Sequence, residues 1–169
     1  WYAFRAIMAG VRAVHGAEAL SDFAAQVSTE KYQKDCLAAL GRSPEPTGWE
    51  WLNRDRAEVA KYVEDPLCGH KMSVGFWSSV PFAFRDLRSS RSYSKAPPQL
   101  PVCVLAGSRD FCAGASHRNV QAELAGAGLP QPKVVVYDEA RHELLLELNR
   151  DEVLRDVASF CAACLDGPP

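Results

Sequence analysis

Two short apolar runs, "PVCVLAG" (Pro101 to Gly107) and "KVVVY" (Lys133 to Tyr137), constrain this chain more than any other feature. Each is continuously apolar and bounded by turn residues, which marks a strand covered on both faces, the pattern of a parallel sheet. Between them "SHRNVQAELAGAG" (Ser116 to Gly128) reads as an amphipathic helix, with Val120 and Leu124 inward and glycine at its end. After them "NRDEVLRDVASFCAACL" reads as a final helix, with Asn149 as cap, Glu152 completing a capping box, and Val153, Val157, Phe160, Cys161 and Cys164 on one face. Strand, helix, strand, helix with short connections is a parallel α/β unit.

The first half carries a different period. Trp1, Phe4, Ile7, Met8, Val11 and Val14 recur at helical spacing, and Leu20, Phe23 and Val27 predict a second short helix. "STEKYQKDCLAALG" predicts a third, capped by Ser28 and stopped by Gly41. The prolines of "RSPEPTG" interrupt the chain. A fourth helix then runs through "DRAEVAKYV", where Asp55 and Glu58 have capping-box spacing, and Asp65-Pro66 ends it. "FWSSVPFAFRDLRSS" (Phe76 to Ser90) is aromatic-rich and helical in part, and "KAPPQLP" is an extended connector.

A parallel sheet collects its reactive groups on loops at the carboxyl ends of its strands. The loop after the first strand, "GSRDFCAGA", carries Asp110, and the loop after the second, "DEARHE", carries His142. Neighbouring strands bring such loops side by side, so the two residues can meet. An acid followed by a histidine on consecutive strand-end loops is the back half of a nucleophile–acid–histidine triad. There the histidine is general base and then general acid, while the carboxylate fixes its tautomer. Asp138 is the rival acid, but four residues before His142 in the same loop it reads as a turn residue.

The nucleophile is not found. No Gly-x-Ser-x-Gly elbow occurs, and the nearest stretch, "GASHR", lacks the last glycine. Ser116 lies ten residues past Ala106 (116 − 106), too far from its strand for an elbow, and fits the N-cap of the next helix.

"WEWLNRD" (Trp49 to Asp55), "DPLCG" (Asp65 to Gly69), "LAGSRD" (Leu105 to Asp110) and "ARHELLLELNRDEV" (Ala140 to Val153) resemble the C-terminal half of bacterial α/β-hydrolases. These are the lysophospholipase and monoacylglycerol-lipase-like proteins, often labelled serine aminopeptidase-like. The resemblance covers most of the chain in order. It implies a partial α/β-hydrolase fold, with Asp110 as triad acid and His142 as triad histidine. It also implies a helical cap from Trp1 to about Ser90, so that residues 1–95 are cap and connector and 96–169 the C-terminal part of the core. One departure is the Phe111-Cys112-Ala113-Gly114 that follows the acid, where the family usually has Pro-Val-Gly.

The family's serine belongs to an N-terminal half, and the chain begins at Trp1, its first methionine being Met8. The expectation is a C-terminal fragment of a hydrolase acting on a small lipid-like ester, inactive and marginally soluble without the missing half. The alternative is a non-catalytic remnant or pseudoenzyme that binds without reacting. The mechanism requires neither metal nor organic cofactor.

Composition narrows the alternatives. The formal net charge is −2, and no Lys/Arg run marks a nucleic-acid surface. Apolar runs fall well short of the ~20 residues of a membrane span, and no signal-peptide pattern is present. The six cysteines are expected reduced and the protein cytoplasmic. Cys103 reads as a buried strand residue. Cys161-x-x-Cys164 reads as helix packing, with a thiol-redox role the least favoured of three functions. His15, His70 and His117 lack metal-ligand spacing, and Glu143 and Glu147 read as solvent-facing or helix-capping. Trp49, Trp51, Phe76, Trp77, Phe82 and Phe84 are candidates for an acyl pocket or simply for core.

Overall fold

The computed structural model describes residues 2–20, 29–41, 45–87, 93 and 95–166. Trp1, the expected short helix through Phe23 and Val27, the expected Ser28 cap and the end of the aromatic segment at Ser90 lie outside the described residues.

Helices dominate the first half. α1 (Tyr2–His15) buries Met8 completely and lies along α4 (Val74–Leu87). Leu20 bridges to Ser73, and Gly75 and Val74 donate to the carbonyls of Ala17 and Ala19, which ties the end of α1 to the start of α4. α2 (Lys31–Leu40) ends at Gly41, whose φ of 82° suits a residue without a Cβ. α3 (Arg56–Glu64) is capped by Asp55, whose carboxylate accepts from the Ala57 N–H. Only half of the expected capping box forms: Glu58 pairs with Lys61, and the Asp55 N–H donates to Asn53 Oδ1 instead. Asp65, extended before Pro66, stops α3.

The α/β unit forms as the pattern requires. β1 (Cys103–Gly107) and β2 (Lys133–Tyr137) pair in parallel, Cys103 opposite Lys133 and Gly107 opposite Tyr137, with α5 (Ser116–Gly126) as the crossover. A 3₁₀ turn (Leu144–Leu146) leads into α6 (Arg150–Leu165). Tyr137, Ala140 and Val153 form one buried cluster, with Leu105, Val135 and Leu144 packed on it. A second cluster, Cys36, Trp51 and Leu52, also takes Phe111 and Cys112 from the loop after β1. The helical half and the sheet half therefore share a core.

Several expectations about burial do not hold. The strands are half-buried rather than buried: Cys103 is intermediate and Val136 is 46% exposed. The described sheet has two strands, so each keeps an open edge. Cys161 and Cys164 are exposed free thiols, and the buried residue of α6 is Val153, near its start. Ser116 is the first residue of α5 rather than its cap, and its N–H donates to the Ala113 carbonyl. Asn149 occupies the N-cap position of α6 as expected, but its side chain makes no cap hydrogen bond: its amide reaches Glu152 and its Oδ1 accepts from Arg54. Of the two roles expected for Glu147, solvent-facing and helix-capping, the first fails: it follows the 3₁₀ turn as its C-terminal cap residue and has no exposure at all.

Candidate active site

β1 and β2 end at the same level, so their following loops run together. The ladder continues past the strands, with Ser108 donating to the Tyr137 carbonyl and Arg109 to that of Ala140, both at 2.9 Å. This brings Asp110 to His142, 32 residues on: His142 Nδ1 lies 3.0 Å from Asp110 Oδ2. The other oxygen, Oδ1, accepts from the backbone N–H groups of Cys112 at 2.9 Å and Ala113 at 2.8 Å. The Asp110 side chain is 8% exposed and that of His142 36% exposed. The carboxylate is thus held and shielded while the imidazole faces the open side.

An ionised carboxylate only accepts, so Nδ1 carries the proton and Nε2 keeps its free lone pair. That tautomer can take a proton from a hydroxyl. The rival Asp138 is occupied differently, accepting from the Ser108 hydroxyl at 3.3 Å.

Electrostatics couple the pair. Burial pushes Asp110 up, but the hydrogen bonds from His142, Ala113 and Cys112 outweigh it and leave the carboxyl below its usual 3.8. The hydrogen bond to Asp110 holds His142 above its usual 6.5, against the opposing effect of burial. Asp110's stabilising contribution is present above 3.8 and lost as pH falls through its lower folded value. That of His142 is present below 6.5 and lost as pH rises through its higher folded value. An NMR titration of the His142 ring should therefore have its midpoint above 6.5, and Asp110→Asn should lower it. A midpoint unaffected by that change would mean that the contact is not made in solution.

Cys112 adds a thiol to the site, and Tyr32 hydrogen-bonds to it. Burial raises the thiol above its usual 9.0, so it stays protonated near neutrality rather than becoming a nucleophile. Asp110, Cys112 and His142 offer three potential metal-donor atoms within 4.8 Å of one another. The hydrogen bonds already made to Asp110 use three of its four acceptor directions, which fits proton transfer better than cation binding.

His142 opens onto a cleft of about 1140 Å³ lined by side chains of the helical half. Trp49, Trp51, Phe76 and Trp77 contribute to its wall, whereas Phe82 and Phe84 are exposed on α4 and do not line it. Trp51 stands 5.3 Å from the His142 ring, centroid to centroid, and Trp49 4.8 Å from Tyr62. His70 also lines the cleft, His15 is exposed at the end of α1, and His117 keeps a buried Nδ1 without a partner.

The sequence pattern missed Glu147, Arg54 and Arg141. Glu147 accepts from the N–H of Arg54 and of Arg141 and from the Arg54 guanidinium. The Arg141 guanidinium donates to the carbonyls of Glu50 and Asn53. Periodicity carries no sign of contacts spanning some ninety residues. The only hint is that Arg141 and Glu147 bracket the histidine loop, where purely solvent-facing charges have no need to recur.

The family described as serine aminopeptidase, S33, matches residues 8–149. Among solved structures, the chain is similar to a highly thermostable carboxyl esterase from Bacillus coagulans, in complex with glycerol. The TM-score is 0.76 at 17% identity, over 96% of this chain and 52% of the other. It is also similar to a monoacylglycerol lipase from Paleococcus ferrophilus, with a TM-score of 0.57 at 21% identity, over 85% and 55%. A lipase in its open form gives a TM-score of 0.71 at 23% identity, over 92% and 49%. The chain thus spans about half the length of these proteins. No curated protein matches the chain.

Proposed function

The chain belongs to the serine aminopeptidase (S33) family of α/β-hydrolases, and from that premise we propose that it supplies the acid and the general base of a serine ester hydrolase. The observation that carries this reading is the 3.0 Å Asp110–His142 pair, oriented by two backbone N–H groups and open to an aromatic cleft. His142 Nε2 takes the proton of a serine hydroxyl as that oxygen attacks the ester carbonyl, and returns it to the departing alcohol. Asp110 holds the imidazole in the tautomer this requires and stabilises the imidazolium that forms. A water then repeats the sequence on the acyl-enzyme.

The serine lies outside this sequence, in a half that would complete the sheet beside β1 and β2. Residues 1–95 act as cap and connector, and 96–169 as the C-terminal part of the core. An apolar cleft beside the general base suits an acyl chain, so the substrate is a lipid-like ester such as a monoacylglycerol or lysophospholipid. No helix of the described residues is long and apolar enough to cross a membrane. The second reading, a remnant that binds without reacting, shares the cleft but requires no serine in the gene product.

Two measurements separate them. An in-frame Gly-x-Ser-x-Gly encoded upstream of the Trp1 codon is the first expected result. Labelling of the gene product in cells by a fluorophosphonate probe, lost on His142→Ala, is the second. An unlabelled gene product with no upstream serine motif would leave the binding remnant.

A further inference from the structure

Glu147 is fully buried, yet it belongs to neither core cluster. Four donors converge on it. Oε1 accepts from the Arg54 N–H at 3.2 Å and the Arg141 N–H at 2.8 Å. Oε2 accepts from Arg54 Nε at 2.8 Å and the Leu148 N–H at 3.1 Å. A buried carboxylate is tolerated only when paired and hydrogen-bonded to this degree.

The residues joined are the neighbours of His142. Arg141, just before it, is tied to Glu147 through its N–H and to the carbonyls of Glu50 and Asn53 through its guanidinium. Glu143, just after it, donates to the Leu52 carbonyl at 2.9 Å. Leu52 follows Trp51, the aromatic against the His142 ring. The loop that presents the histidine is therefore fastened to the Trp49–Arg54 segment, one wall of the cleft.

We propose that Glu147 is the positioning residue of His142, a buried carboxylate that locks the histidine loop and the Trp49–Arg54 cleft wall into one unit. The proposal rests on His142 being the general base. Its consequence is specific: the wall that meets the substrate and the imidazole that reacts move together.

Glu147→Gln keeps the shape and removes the function. An amide nitrogen cannot accept, so either the Arg54 and Arg141 N–H pair or the Arg54 Nε and Leu148 N–H pair loses its acceptor. Loosening the loop should weaken the Asp110–His142 hydrogen bond. The test is NMR of the His142 ring in the full gene product, with far-UV circular dichroism as the control for folding. In a folded Glu147→Gln variant the titration midpoint should fall toward 6.5 and the Nδ1–H resonance should broaden or vanish. Arg54→Gln, which removes the guanidinium donor and leaves the three backbone donors, should give a smaller change in the same direction, and the double variant little more than Glu147→Gln alone.

A folded Glu147→Gln with wild-type midpoint and resonance would overturn the proposal. So would loss of folding in both variants, which would make the cluster a folding element only. Failure of the underlying reading looks different: there, Asp110→Asn itself leaves His142 unmoved.

Discussion

Replacing His142 by alanine in the assembled hydrolase should lower kcat by about 10⁴-fold or more, with KM changed little. In the proposed mechanism the imidazole removes a hydroxyl proton at the cleft, and burial pushes the Cys112 thiol beside it up, away from that role. KM should change little because Trp49, Phe76 and Trp77 still wall the cleft, and Trp51, which loses the His142 ring, keeps its contacts with Tyr32 and Trp49. Asp110→Asn should cost a similar factor by another route. Its amide can present a donor to Nδ1 and stabilise the tautomer that leaves Nε2 protonated. Turnover of an aryl ester across pH separates the effects, since the wild-type acid limb should lie above 6.5. A His142→Ala enzyme within tenfold of wild type would remove His142 from the chemistry.

The pair was legible in the sequence because parallel-sheet topology does the work of distance. Two apolar runs with a helix between them already set Asp110 and His142 on adjacent loops, and the structure closes that gap to 3.0 Å. Helix positions were legible for the same reason: period and end signals are local, as at Gly41, Asp55 and Asp65. What stayed hidden depends on partners far along the chain. Glu147 looks like any helix-proximal carboxylate until Arg54, 93 residues away, closes on it. Cys161 and Cys164 share a helical face with Val153 by periodicity, but of the three only Val153 is buried. Periodicity reports which residues share a side, not whether anything lies against it.

Gly107 is the second position where a single atom should have a large effect. It ends β1 where the loop after β2 passes directly over it, and a Cβ there would stand 2.3 Å from the Ala140 carbonyl oxygen and 2.4 Å from that of Arg141. Both contacts are with backbone, which cannot swing aside as a side chain does. Gly107→Ala must displace the Ala140–Arg141 segment, and overpacking of this kind costs about 1–3 kcal/mol. The displaced carbonyl of Ala140 is the acceptor for the Arg109 N–H, and Arg141 is the residue before His142. Destabilisation and loss of the Asp110–His142 contact should therefore appear together. Urea unfolding should show a lower midpoint, and the His142 titration should shift down as it does for Asp110→Asn. An unchanged unfolding midpoint would show that the loop does not press on β1, and the closeness of the two strand-end loops would then need another cause.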